Sequence, residues 1–193
     1  MTKKEIPVKP YLYPMPVVLV GANVDGKPNF MPIAWTCIVE YSPPTILISA
    51  SKTHHTSKGI RDNKTFSVNT PSEELVEATD YCGIVSGKEF DKSRIFNVFY
   101  GELKTAPMIT EAPLNLECKV VQHHEYKSHE IFFGEIVHAH AEERFLKGEV
   151  PDIAKIKPFV FSMSDNNYWK LGGLLGKAWR IGRNYKKNKH VIS

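Results

Sequence analysis

The sequence predicts a mainly β fold, a small barrel with a few helical decorations. Uncharged, β-branched runs recur at short intervals, as in Val17-Val-Leu-Val-Gly-Ala-Asn-Val24 and Thr45-Ile-Leu-Ile-Ser-Ala-Ser51. Turn residues separate them, most plainly Asp25-Gly26 and Pro43-Pro44. Strand candidates outnumber helical ones along the whole chain, which favours a closed or nearly closed antiparallel sheet over βαβ units.

Taken in order, Val17–Val24 reads as a buried strand and Asp25-Gly26 as a tight turn, with Pro28 extending the connection. Ile33–Glu40 is a second strand, stopped by Pro43 and Pro44, and Thr45–Ser51 is a third. Thr56–Asn63 reads as a short helix opened by Thr56, followed by a strand at Thr65–Asn69. Thr70, Pro71 and Glu73 have the spacing of a capping box, which predicts a helix ending near Cys82-Gly83. Residues 84–110 read as loop-rich, with a short helical piece from Lys92 to Val98. Leu114–Val121 and Glu130–Ala141 are strands, with Gly134 marking a bulge or a close backbone approach, and Val160–Met163 adds a short one.

The 193 residues, 42% hydrophobic and 24% charged, make up one domain with a substantial core. No apolar run approaches the ~18 residues that a membrane-crossing helix needs. The start, MTKKEIPVKP, lacks the apolar stretch of a secretory signal, so a soluble cytoplasmic protein is expected. Cys37, Cys82 and Cys118 are odd in number and scattered, which reads as free thiols in a reducing compartment. The net charge of +4 gathers toward the end, at Lys177, Arg180, Arg183, Lys186, Lys187 and Lys189. Such a tail suits an anionic partner or a phosphate folded against it, but nothing else in the chain resembles a nucleic-acid module.

The chain has no GxSxG, HExxH, P-loop or GxGxxG motif, so neither a catalytic residue nor a metal site is expected. The paired histidines His54-His55 and His123-His124 diverge on an extended backbone, and His138 and His140 share one strand face without a convergent third ligand. Asn29–Thr36 mixes polar and large apolar groups just after a turn, although Trp35 suits a core or interface equally well. Ser49, Ser51, Thr53 and Thr56 form a hydroxyl-rich run into a helix start, where amides favour an anion and Lys58 adds charge. Simple loop capping accounts for that run as well.

These segments, in this order, resemble the flavoredoxin or flavin-reductase-like family. The resemblance rests on Met15–Gly21, Asp25–Trp35, Ser42-Pro-Pro-Thr-Ile46, His55-Thr56, Asn63–Asn69 and Ser86-Gly87, and covers most of residues 10–165. It implies a six-stranded antiparallel split β-barrel of Greek-key type in a single domain, with residues from about 168 to 193 as a basic C-terminal extension. It also implies noncovalent FMN near a homodimer interface. Asn29, Met31, Pro32, Ile33, Ala34, Trp35 and Thr36 would then meet the flavin ring. Ser49, Ala50, Ser51, His55, Thr56 and Lys58 would serve the ribityl and phosphate end, with Asn69 and Thr70 completing the rim. The partner subunit would add groups from the region between Lys92 and Lys104 or from the C-terminal segment. The implied function is transfer of reducing equivalents from NADH, NADPH or a redox protein to a flavin, a ferric complex or another protein. A non-enzymatic electron carrier is the alternative.

Overall fold

The computed structural model describes residues 2–185, so the expected basic positions Lys186, Lys187 and Lys189 lie outside the described residues. Strand β1 (Met15–Pro16) leads into β2 (Val18–Val24), which turns back as β3 (Lys27–Ile33). Asp25 and Gly26 both take positive φ, 50° and 79°, as a two-residue hairpin turn requires. Next come β4 (Thr36–Tyr41), β5 (Pro44–Ser51), α1 (His55–Asn63), β6 (Thr65–Thr70) and α2 (Val76–Ile84). The short pair β7 (Val98–Phe99) and β8 (Met108–Ile109) precedes the long strands β9 (Leu114–Glu125) and β10 (His129–Ala141). The chain continues through β11 (Leu146–Lys147), β12 (Val150–Pro151), α3 (Ile153–Ile156), β13 (Phe159–Ser162) and β14 (Asn167–Lys170).

The main sheet is antiparallel throughout, in the order β3-β2-β6-β9-β10-β5-β4, seven strands where six were expected. The added strand is β3, which the sequence presented as a proline-interrupted connection. Pro28 and Pro32 survive in it because β3 lies at the end of the strand order, where only one side needs hydrogen bonds. Val24 and Lys27 close the hairpin, so positions 28, 30 and 32 fall at the non-hydrogen-bonded pairs and face the open side. The expected second strand accordingly starts at Thr36 rather than Ile33.

The sheet curls on itself. β3 contacts β5 although four strands intervene in the sheet order. Val20, Met31, Ile48, Phe66, Val68 and Phe132, from five different strands, meet in one buried cluster. Gly134 makes the curl possible at β10. The register shifts between Phe133 and Gly134, and a Cβ there would stand 2.6 Å from Phe66 Cε1. A second cluster, with Leu19, Phe30, Cys82, Phe96 and Ile109, seats α2 and the 92–112 segment on the outer side of β2 and β3.

Two expected helix starts differ. Thr70 does not cap α2. It ends β6, and a 3-10 turn at Glu73–Leu75 comes before the helix. The backbone there has tertiary partners instead. Ser72 forms a bridge with Pro158, Glu73 N–H donates to Lys157 O at 2.8 Å, and Lys170 pairs with the Glu73 carboxylate at 2.9 Å. The helix also runs past Cys82-Gly83 to Ile84. In α1 the N-cap is His54, not Thr56, and no side chain caps the helix start.

The extension expected from residue 168 begins later. Asn167–Lys170 pairs with β13, and β1 joins them in a three-stranded sheet. Tyr168 packs edge-on against Phe159 with ring centroids 5.3 Å apart, and its hydroxyl donates to Asp80 Oδ1 at 2.9 Å. No helix among the described residues is long and apolar enough to cross a membrane.

Two carboxylates are buried in the barrel wall. Glu130 is held between the Arg61 guanidinium and His123 Nε2, the latter at 2.9 Å. Glu117 accepts Leu103 N–H at 2.6 Å, Glu102 N–H at 3.3 Å and His140 Nε2 at 2.7 Å, which ties the 101–103 loop to β9. Burial alone would raise the Glu117 pKa. The Leu103 N–H, then His140 and the Glu102 N–H, outweigh it and hold the carboxyl below its ordinary value. A folded carboxyl more acidic than the unfolded one stabilises at neutral pH, and that contribution is lost as pH falls below the ordinary carboxylate range. Glu117→Gln is expected to cost about 1–3 kcal/mol at pH 7. Urea titrations at several pH values should show the gap to wild type narrowing toward pH 4, whereas a pH-independent gap would contradict this account.

Candidate functional site

Three chain segments border a cleft at one side of the barrel. One is the open edge of β3. The second is the run from Ser51 to Thr56 that leaves β5 and enters α1. The third is the segment from Cys82 to Lys92 that leaves α2. The inner part of the cleft is a cavity of about 270 Å³ lined by Met31, Pro32, Thr53–Thr56 and residues 82–87. The outer part, about 490 Å³, shares His55, Gly87 and Lys92 with it.

Hydroxyl groups shape the entry to α1. Thr53 N–H donates to Ser51 Oγ at 3.3 Å, the Ser51 and Thr53 hydroxyls are 2.9 Å apart, and Ser57 Oγ donates to Ser51 O at 3.2 Å. These contacts turn the chain off β5 into α1, whose start has no side-chain cap and whose first residues, His55 and Thr56, line the cleft. Asn29 fixes this turn against β3, donating from Nδ2 to Thr56 Oγ1 at 2.7 Å in a buried bond. Gly87 crosses above that bond. A Cβ at 87 would lie 2.8 Å from Asn29 Cγ and Nδ2, so only glycine lets the 82–92 segment come this close.

Lys92 carries the main charge. It is only 5% exposed, and Nζ donates to Phe30 O at 3.0 Å and Cys82 O at 2.6 Å. Phe30 is the open-side position between the two prolines of β3, so its carbonyl faces out from the sheet edge toward Lys92. Lys92 makes no ion pair with an acid among the described residues, and the third donor of its ammonium has no protein acceptor there. Burial lowers its pKa, and burial also lowers those of His54 and His55, with Lys92 adding to both. A buried cation with neither counter-charge nor full hydrogen bonding is costly, and an anion in the cleft would offset that cost. Cys82 adds no nucleophile, because burial pushes its thiol up to about 11.

The expected site residues fall into five groups. Asn29, Met31, Pro32, His55 and Thr56 border the cleft, with Ser51 bonded to its Thr53. Ala34, Trp35 and Thr36 line a separate apolar cavity of about 480 Å³ together with Tyr11, Leu12 and Cys37. Trp35 stacks on His129 at 4.9 Å, and its carbonyl accepts Ser49 N–H at 2.9 Å. Ile33 and Ala50 point into the core, which leaves only their backbone for a ligand. Lys58 is bound by Asp25 at 2.5 Å and Asp62 at 3.3 Å, so its charge is already balanced.

Asn69 and Thr70 belong elsewhere. Asn69 is fully buried, donating to Leu19 O and Ser67 Oγ and accepting Ile109 N–H and Asn115 Nδ2. Thr70 pairs with Leu114 at the end of β6. Both hold strands together and neither borders the cleft, because β6 lies on the far side of β2 from β3. Thr53 was expected only as part of the hydroxyl-rich run, without a ligand role of its own, and Lys92 only as the start of a region reaching the site from a partner subunit. In the structure Lys92 opens a short 3-10 turn that the Asp91 carboxylate caps, where the sequence read a short helical piece. Ser86-Gly87 entered only through the resemblance.

Comparison with known proteins places these features in context. The family model for the flavin reductase like domain matches residues 11–161. The crystal structure of flavoredoxin from Methanosarcina acetivorans is 48% identical, with a TM-score of 0.93 over 95% of this chain and 98% of that one. Flavoredoxin of Desulfovibrio vulgaris (Miyazaki F) is 33% identical, with a TM-score of 0.87 over 94% of this chain and all of the other. The FMN reductase (NADH) RutF of Acinetobacter baylyi is 28% identical over 120 residues, 62% of each chain.

Gly87→Ala is expected to destabilise the protein by about 1–3 kcal/mol, since the added methyl must displace Asn29 or the 82–92 segment. Urea unfolding measures this, and an unchanged midpoint would mean that the segment is not held against β3.

Proposed function

The chain belongs to the flavin reductase-like family, and from that membership we propose that it is an FMN-binding oxidoreductase whose donor is a reduced nicotinamide. The observation that carries the FMN site is the buried Lys92 ammonium, without an acid partner among the described residues, beside the uncapped start of α1. Both features favour the same chemistry, a phosphate, through charge and through amides pointing one way.

In this reading the His55 and Thr56 amides, the Thr53 hydroxyl and Lys92 hold the phosphate. Ser49 and Ser51, half-buried on β5 beside the core residue Ala50, hold the ribityl chain. Asn29, Met31 and Pro32 border the inner end of the ring, and Ala34, Trp35 and Thr36 border its apolar end. Ile33 supports the ring from the core, and Lys58, already bound by two acids, contributes little. Asn69 and Thr70 act through the barrel and not through the ligand. FMN, when bound, supplies acceptance of a hydride and its onward release as electrons. The chain's own part is to orient the ring along Met31–Thr36, to keep its apolar end dry and to leave one face open to the donor.

We further assign β4 as the contact with a second copy of the chain. It is an edge strand at one end of the sheet, and Ile38, Val39 and Tyr41 are exposed along it. A second functional reading, an electron carrier serving another protein, is supported by the uncovered apolar residues Leu174, Leu175 and Trp179 of the C-terminal extension.

Lys92→Met should weaken FMN binding at least tenfold while the folded spectrum by circular dichroism is kept. Calorimetric titration of the apoprotein checks this, and an affinity within twofold of wild type would place the phosphate elsewhere. Anaerobic reduction of the FMN-loaded protein by NADH, NADPH and reduced ferredoxin in parallel separates the two functional readings. Rapid bleaching of the flavin absorbance by a nicotinamide is expected, whereas reduction by ferredoxin alone would favour the carrier.

A further inference from the structure

A cavity of about 330 Å³ lies where the β7-β8 pair meets the start of β9 and the end of β10, and it shares no residue with the cleft. Phe99, Thr110, Ala112, Asn115, His140 and Ala141 stand on its wall. Asn115 and His140 are direct partners in the β9-β10 register, so their side chains stand side by side on one face. The fold fixes one end of each. Asn115 is 4% exposed, and its Nδ2 donates to Asn69 Oδ1 at 2.8 Å and to Ile109 O at 2.9 Å. A main-chain carbonyl can only accept, so this amide cannot be turned over. Its Oδ1 has no donor among the described residues and is not sealed from solvent. His140 meets Glu117 Oε1 through Nε2 at 2.7 Å. Glu117 already accepts two main-chain N–H groups and is held in its ionised form. Nε2 therefore carries the proton, and the neutral ring offers Nδ1 as an acceptor.

We propose that this cavity binds a small aromatic amidine or a related planar cation, with two N–H donors on one edge and no acceptor. Two open acceptors stand next to each other on its wall. Groups that would hold an anion are missing, since no lysine or arginine lines the cavity among the described residues. The charged side chain on the wall is the Glu142 carboxylate, paired with Arg144 at 2.9 and 3.0 Å. The negative charge of Glu117 lies buried behind His140. The rest of the wall suits a ring. Phe99 stands edge-on to His140 with ring centroids 6.0 Å apart, and Ala112 and Ala141 leave the space that larger side chains would fill. An aromatic ring here also attracts a cation. A carboxylate of the same outline meets two acceptors and is refused. This site stands or falls apart from the FMN reading.

Full-length protein is titrated by calorimetry with three probes: benzamidine, benzoate as the anion of the same outline, and acetamidine as the amidine without a ring. Benzamidine is expected to bind at least fivefold tighter than either, and equally well when FMN saturates the protein. The His140 ring signals in nuclear magnetic resonance, assigned through their contacts with Phe99, should move with benzamidine and stay put with benzoate. His140→Gln keeps an N–H for Glu117 and removes Nδ1, so benzamidine affinity should fall at least fivefold with the circular dichroism spectrum kept. Phe99→Leu should weaken benzamidine more than acetamidine. The site is overturned if benzamidine binds no better than benzoate, if FMN displaces it, or if the His140 signals do not respond. An affinity within twofold of wild type in folded His140→Gln overturns it as well. The wild-type titrations and ring signals decide the matter even where a variant does not fold.

Discussion

The open edge of β3 is the constraint from which the site follows. Pro28 and Pro32 withhold donors on that side, and Phe30 between them turns a carbonyl toward it. With proline at two of its three outward positions, that edge is a poor template for another strand, and a side chain takes up its carbonyl instead. Lys92 does this, and in doing so it pulls the 82–92 segment over β3 and brings an ammonium into the interior. The cleft is the space left between that segment and the start of α1.

Buried charge is handled in two ways in this molecule. Glu117 and Glu130 are enclosed with cationic or N–H partners from several elements, and they serve to join loops and helices to the barrel wall. Lys92 is enclosed with two carbonyls and no acid partner among the described residues. The first arrangement is balanced within the fold. The second has no counter-charge within the described residues, which is the physical distinction between the two arrangements. Asn69 illustrates the structural case among neutral groups, with both ends of its amide satisfied by the protein.

Much of the barrel was legible because period-2 patterns and turn chemistry act locally. Asp25-Gly26 forms the hairpin turn it predicts, Gly134 sits at the irregularity it predicts, and Thr45–Ser51, Thr65–Asn69 and Glu130–Ala141 are strands. The misreadings share one cause. β3 looked like a connection, since the tolerance of two prolines depends on whether a strand is at an edge, and strand order is not local. Thr70 looked like a cap because the spacing was right, yet Lys157 and Pro158 from the far end of the chain take the backbone there. Lys58 was read only as added charge; Asp62 stands four residues on, but its stronger partner Asp25 lies 33 positions away.

By itself the sequence determined the barrel class, the hairpin at Asp25-Gly26, the hydroxyl-rich entry to α1 and, through the resemblance, the flavin chemistry. These depend on residue types at short spacing, where sterics and hydrogen bonding act between neighbours. The tertiary structure decided which charges are available. It balanced Lys58, sealed Asn69 into the barrel and buried Lys92 beneath the cleft, because whether a charge is available depends on its neighbours in space, and those are set by strand order and long-range packing.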